Sequence, residues 1–503
     1  MTSTGIDCSQ IAALHLLKQD NMRAGLTLIE CGVVQGGRPS GSGDEVTGDS
    51  PQPPNILVSN RTCTSNSSCT HSESMVFAST RIGDHTVVVN YNDETGSGSD
   101  YSGVSYSLDG GSTFTQIVPS PLGTGHGTNF GDPIVVYNSK LAMWFAGDLA
   151  TGCGGQGIGT WKSPDGQNWT VSACAHNGGA DDRESMWVDN SPFSAVYGRM
   201  YVSFNNFNVG GGALFVTHTD DGVTWSTPVQ VANGSPFIRD VQITGTLPGH
   251  GSPNALYRSP VFLAGMDEGG GGMSTRQNIM YRSTDGGATW TSATLGARFN
   301  PVGDSTCGYF AKVNPIWRHM GWGEPAVGPN GVIHYAYAGK GQASGDNGDI
   351  YYVRSTDNGL TWSTPIKLND DTGGQYKTQW MPSVSVNYSP AIPLPQTKVT
   401  VSWYDRRAAT TACNAATDPG CSYERYGVQS PDNGVTWGAN FAISTGLIPQ
   451  PQQDDPFIQS CYAGDYDYST AFGNTAYVTW TDGRVAIGGV NVQTVEFAPV
   501  PEP

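Results

Sequence analysis

An eight-residue phrase recurs along this chain, and its spacing constrains the fold more than any other feature. It runs Ser or Thr, any residue, Asp, any, Gly, any, Thr, aromatic. Four copies keep the pattern: SLDGGSTF at 107–114, STDGGATW at 283–290, STDNGLTW at 355–362 and SPDNGVTW at 430–437. HTDDGVTW at 218–225 opens on His, and SPDGQNW at 163–169 is one residue short. The aspartates are Asp109, Asp165, Asp220, Asp285, Asp357 and Asp432, and the closing aromatics include Trp225, Trp290, Trp362 and Trp437. Successive aspartates stand 55 to 75 residues apart, which is room for one unit of four short strands.

The chemistry of the phrase is that of a turn. Gly-Gly and Asn-Gly supply the positive-φ positions of a tight hairpin. The Asp carboxylate can accept bonds from N–H groups of its own turn. The aromatic leaves the turn to pack between sheets. Each octet has too few carboxylates in register for a calcium loop.

Two apolar runs precede each octet and a third leads into it, which gives six four-stranded units. Three more runs, at 466–471, 476–480 and 490–497, follow the last octet without a fourth strand. Residues 56–59 can supply that strand, and closing a ring with both ends removes open sheet edges. The expectation is an all-β propeller of seven antiparallel blades, with six as the alternative, over 55–499. Residues 1–54 form an extension, with a short helix over 9–23 capped by Ser9 and striped by Ile11, Leu14 and Leu17. A Gly/Ser/Pro-rich linker follows at 36–54, and 500–503 is a tail.

Composition agrees. Glycine is 67 of 503 residues, roughly double average usage. Charged residues are 14%, which speaks against a helical bundle or coiled coil. The 13 Trp, 22 Tyr and 16 Phe are too many for a disordered chain. The net charge of −18 repels phosphate backbones, so nucleic acid is not expected as a partner. No run of 18 apolar residues marks a membrane span, and residues 1–5 lack the basic start of a leader peptide. Oligomeric state is not legible.

Ten cysteines fall mostly in close pairs: Cys8 with Cys31, Cys63 with Cys69, Cys153 with Cys174, and Cys413 with Cys421. Cys307 and Cys461 remain. The pattern reads as disulfide staples in an oxidising compartment, so the protein is expected to be secreted, periplasmic or on the cell surface.

The octets resemble the Asp-box, or BNR repeat, of sialidases and related propellers over roughly residues 75–497. The resemblance implies a β-propeller with each box joining the third and fourth strands of a blade. Sialidases hold a substrate carboxylate with three arginines, and use a Tyr nucleophile with a Glu partner and an Asp acid/base. Here Thr80-Arg81-Ile82-Gly83 lacks the aromatic and the Pro of the family's first-arginine motif. Glu324-Pro325 followed by Asn330-Gly331 resembles the segment carrying the sialidase Glu. Lys340 stands where an Arg would follow the next strand. The arginine triad is therefore unassigned.

Acidic residues recur where strands meet the face opposite the octets. Asp132, Glu184, Asp240, Glu324 and Asp465 precede first strands. Asp93, Asp148, Asp267, Asp405 and Asp482 follow second strands. SWYDRR at 402–407 and TWTDGR at 479–484 place Arg406 and Arg484 as rim ion pairs or as anion-binding forks. The catalytic candidates are thus Glu324, Arg406, Arg484, Asp132, Asp240 and Asp465. No cofactor is required. Asp454, Asp455, Asp465 and Asp467 are dense enough in oxygen to hold calcium. The expected function is a recognition module that binds a glycan or a partner protein through rim loops. The alternatives are a sialidase-like glycoside hydrolase using rim carboxylates and arginines, or a scaffold subunit docking through 1–54.

Overall fold

The computed structural model describes residues 2–38, 55–59, 69–96, 100–235, 237–246, 259–303, 305–313, 317–318, 321–387, 397–414 and 419–502. Seven antiparallel sheets of four main strands surround a central channel, so the seven-bladed propeller expected from the repeats is what forms. Blade 1 runs outward through His71–Ala78, Val87–Asp93, Ser102–Ser107 and Thr115–Gln116. Blades 2 to 6 repeat that order from innermost strands Ile134–Asn138, Asp181–Val188, Ile243–Gly245, Glu324–Val327 and Gln379–Val386. Second strands are sandwiched between neighbouring sheets and buried on both faces. Val87–Asp93 and Val261–Asp267 therefore carry no exposed residue.

Blade 7 combines Thr470–Phe472, Thr475–Ile487 and Val490–Pro501 with the N-terminal strand Ile56–Leu57. Ile56 lies opposite Phe497 and Leu57 opposite Glu496. The last strand keeps its register to Pro501, which lies opposite Thr475. Thr400 Oγ1 donates to Glu502 Oε1 at 3.0 Å. Residues 500–502 thus belong to the ring rather than to a tail.

Each octet links a third strand to a fourth. In blade 4, Asp285 Oδ1 accepts the N–H groups of Ala288 and Thr289 at 3.0 and 2.9 Å, and Ser283 Oγ accepts that of Gly287 at 2.9 Å. Asp109, Asp357 and Asp432 make the same turn, and Asp165 makes the short form. Blade 3 departs from the sequence reading. Its turn-holding carboxylate is Asp221, which accepts from Val223 and Thr224 at 2.8 and 2.7 Å. Asp220 instead grips Arg199 at 2.7 and 2.8 Å. Register is set by the positive φ of Gly222, which makes Thr219 the first residue and shortens the turn by one. The closing aromatics pack between blades: Phe114 on Phe497 at 4.9 Å, and Trp437 on Tyr352 at 4.8 Å.

The extension does contain a short helix, but not over 9–23. Cys8–Gln10 and Leu16–Lys18 are single 3₁₀ turns, and the α-helix α1 is Met22–Glu30. His15 is left-handed, which interrupts helix there, and Asn21 Oδ1 caps α1 by accepting from Ala24 N–H at 2.9 Å. Ile6, Leu16, Ala24 and Leu28 form a small core of their own, stapled by Cys8–Cys31. Cys153–Cys174, Cys307–Cys461 and Cys413–Cys421 are also bridged, and Cys69 is disulfide-bonded. Cys63 and linker residues 39–54 lie outside the described residues. Among the described residues no cysteine is free, and no helix is long and apolar enough to cross a membrane.

Candidate functional site at the channel mouth

Antiparallel order puts the octets at one end of the channel and the starts of the innermost strands at the other. At that second end the backbone is strained. Glu73, Asp132, Arg183, Asp240 and Met381 all take positive φ, between 49° and 65°. Such a conformation costs a non-glycine residue about 1–2 kcal/mol. Register shifts at 72/74, 182/185 and 380/383 mark three of these points as bulges, which re-aim side chains. Gly323 shares this level. A Cβ there would lie 2.1 Å from the Tyr335 ring, and its N–H donates to Asp240 Oδ2 at 3.0 Å.

Three arginines meet at this mouth, and all are buried: Arg239 is 0% exposed, Arg183 1% and Arg318 2%. Arg239 Nη2 donates to Asp20 Oδ1 and stands 2.9 Å from Asp182 Oδ2. Arg318 holds Asp465 through Nε at 2.8 Å and Nη2 at 2.5 Å, and Nη2 also donates to the Asp20 carbonyl at 2.6 Å. Arg183 donates to the Tyr468 hydroxyl and approaches Asp240 Oδ1 at 3.4 Å. Among the described residues its Nε and Nη1 have no hydrogen-bond partner, while the Asp182 side chain hydrogen-bonds the Asp20 carboxylate.

Aromatic faces support the guanidinium groups. Arg183 lies 4.1 Å from the Tyr466 ring and 4.4 Å from that of Trp322, and Arg318 lies 4.7 Å from Tyr462. Two other buried arginines have different surroundings. Arg276 bonds the carbonyls of Glu268, Gly272 and Ser274, and Arg425 bonds Ser402 and a backbone carbonyl.

The carboxyl groups divide by environment. Burial alone would raise Asp20, but the charges of Arg239, Arg183 and Arg318 outweigh it and hold Asp20 below the usual range. Burial, then the Asp20 charge, pushes Asp132 up to about 8. Burial and Asp20 raise Asp182. Burial with Asp132 raises Glu184, and burial with Asp465 and Asp132 raises Glu73. Asp240 and Asp465 are each lifted by burial to about 7, with Arg183 and Arg318 respectively opposing. Asp20, Asp132 and Asp182 bring oxygens within 4.8 Å of one another. They are the described carboxylates closest to a cation cage, with Arg239 beside them.

Of the sequence candidates, Asp132, Asp240 and Asp465 converge here. Glu324 stands one step down the channel, accepting from Ser383 Oγ and from Val384 N–H at 2.7 Å. It lines a cavity of about 130 Å³ with Ser185, Gln242 and Tyr468. The rim arginines do not join them. Arg484 is closed on Asp482 at 2.7 Å, Arg407 on Asp405 at 2.8 Å, and Arg406 donates to the Gly420 carbonyl. The grouped cation ligands also separate. Asp454 pairs with Arg38, Asp455 accepts from Phe457 N–H at 2.9 Å, Asp465 takes Arg318, and Asp467 accepts from Ser74 and Tyr404. Asp20, Asp182, Arg183, Arg239, Arg318 and Tyr462 were missed. The available signal was adjacency: Asp182-Arg183 directly precedes Glu184 and Arg239 directly precedes Asp240, although in the structure Asp182, Arg183 and Glu184 lie inside the strand Asp181–Val188 rather than before it.

No protein-family model matches the chain, and no curated protein sequence does. Among solved structures the chain is similar to a lectin from Aleuria aurantia, at 15% identity over 73% of this chain and 95% of that one, with a TM-score of 0.38. It is similar to an α-L-arabinofuranosidase from Fusarium graminearum, at 12% identity over 89% and 98%, with a TM-score of 0.40. A third is an α-L-arabinanase from Penicillium chrysogenum, at 12% over 73% and 92%, with a TM-score of 0.36.

Proposed function

We propose that this propeller is an extracellular recognition module whose channel mouth binds a carboxylate-bearing glycan. The observation that carries this reading is the gathering of three buried guanidinium groups about Asp20: Arg239 bonds its carboxylate, Arg318 bonds its carbonyl, and the charges of Arg239, Arg183 and Arg318 together hold its carboxyl below the usual range. Guanidinium forks suit planar anions. The faces of Trp322, Tyr462, Tyr466 and Tyr468 suit the apolar side of a sugar ring. Burial lifts Asp132 to about 8 and raises Asp182, Glu73 and Glu184 as well. The disulfides favour an oxidising compartment. Probing a dense glycan array with the full chain tests the reading. Acidic glycans should be retained, their methyl esters lost, and Arg239→Met should abolish retention. Equal capture of esters and acids would defeat it.

A hydrolytic reading also has one specific support: Asp132 and Asp182 lie within 4.8 Å, and both are pushed up by burial. A proton-holding carboxyl beside a second one is the equipment of general-acid glycoside cleavage. Release of 4-methylumbelliferone from its sialoside or glucuronide, lost in Asp132→Asn, tests it. No release between about pH 4 and pH 8 removes it.

A further inference from the structure

The arginine pocket is already filled by the chain itself. Asp20 is 3% exposed and Asn21 2%. A cavity of about 10 Å³ remains where Asp20, Asn21 and Met22 meet Arg318 and Tyr462, room for about one water.

We propose that the N-terminal segment is a built-in competitor of this pocket, with Asp20 standing where the carboxylate of an external ligand binds, so that ligand binding requires the segment to withdraw. This rests on the carboxylate-binding reading given above.

Three observations carry it. First, the segment binds as a ligand would, through one carboxylate and a few directed bonds. Arg239 Nη1 donates to the Lys18 carbonyl, Arg318 to that of Asp20 at 2.6 Å, Asn21 Nδ2 to Asp182, and Gln156 Nε2 to Gln19 Oε1 at 3.1 Å.

Second, the segment has a core of its own. Ile6, Leu16, Ala24 and Leu28 pack together and Cys8–Cys31 staples them. Met22 and Leu26 reach into the ring's core beside Phe130, Ile458 and Tyr462, and Leu14 packs against the Phe207 and Phe237 cluster. Withdrawal therefore uncovers Met22, Leu26 and part of Leu14, and leaves the small core intact.

Third, the docked state is incompletely bonded. Among the described residues, Arg183 Nε and Nη1 stay buried without hydrogen-bond partners. An aspartate on a constrained chain fills the charge of the pocket but not its hydrogen-bonding capacity, and a free carboxylate ligand can do better. A tethered competitor acts at an effective concentration on the order of millimolar for a short connection, and it lowers the apparent affinity of a free ligand accordingly.

Isothermal titration of the full chain with N-acetylneuraminate and with glucuronate, intact and as Asp20→Ala, tests this. The proposal expects Asp20→Ala to bind one of them at least about tenfold more tightly. It also expects that probe to speed amide exchange of residues 22–30 in the intact chain. Should Asp20→Ala fail to fold, Met22→Ala with Leu26→Ala removes two of the apolar docking contacts, leaves every charge in place, and should give a gain in the same direction. Equal affinity in intact and altered chains overturns the competitor and leaves the pocket standing. Absence of binding in all of them, with exchange at 22–30 accelerated by the substitutions, overturns the pocket reading and the competitor with it.

Discussion

Arg318 and Asp465 face each other through two hydrogen bonds, 2.8 and 2.5 Å long, that join the connection before blade 5 to the connection before blade 7. Both are almost fully buried. A buried pair adds little net stability, but removing one member strands the other. Arg318→Met should therefore cost about 3–5 kcal/mol in denaturant unfolding. Arg318→Met with Asp465→Asn should recover much of that loss. Additive losses would show that the two groups are not coupled.

The blade 3 turn separates two adjacent aspartates. Asp221 holds the turn, so Asp221→Ala should lower stability by about 1 kcal/mol, as for a lost helix cap. Asp220 makes a surface pair with Arg199, and Asp220→Ala should cost about 0.5 kcal/mol or less. Thermal unfolding of the two variants decides the order. The reverse order would mean that the turn is read one residue out.

Stability should fall as pH rises through neutrality. Asp132 is lifted to about 8, and Asp240 and Asp465 to about 7. An unfolded aspartate releases its proton near 3.9. Between those values the folded chain binds more protons than the unfolded one, so raising the pH favours unfolding. The melting midpoint at pH 5 should exceed that at pH 8, and Asp132→Asn should flatten the slope. On the acid side the sign reverses. Backbone donors hold Asp221 at about 2, and its contribution disappears as pH falls from about 4 towards 2. A midpoint that rises from pH 5 to pH 8 would contradict the burial of these carboxyls.

The Cys8–Cys31 bridge should matter locally. It closes a 23-residue separation, worth about 3 kcal/mol in chain-entropy accounting. Paired substitution to Ser should raise amide exchange in 22–30 while leaving the exchange of blade strands unchanged. Uniform acceleration across all blades would mean that the extension and ring unfold together.

The ring was legible because its signal is repeated. Each octet fixes one turn, and the three runs after Asp432 have no partner except residues 56–59. One copy misled by a residue because Thr219 takes the role of Ser, and the glycine, not the first residue, sets register. The mouth was less legible because its members come from unrelated stretches. Asp20 lies in the extension and Arg318 between blades. Arg239 and Arg484 are both buried, and only the partner each finds separates them. The YDRR and TDGR motifs drew attention to arginines that short local geometry satisfies at once, as Arg484 with Asp482 shows. An arginine two residues from an aspartate has a partner at home, whereas Arg239 finds Asp20 across 219 residues.

The shared seventh blade also has a consequence for synthesis. Ile56–Leu57 can pair only with Val490–Pro501, so the closing sheet cannot form while the last strand is still in the ribosomal tunnel. The partners of Asp20, Asn21 and Arg318 extend to Asp465. Residues 1–30 must therefore wait until the segment carrying Asp465 has been made before they can dock, and the mouth stays unplugged until then.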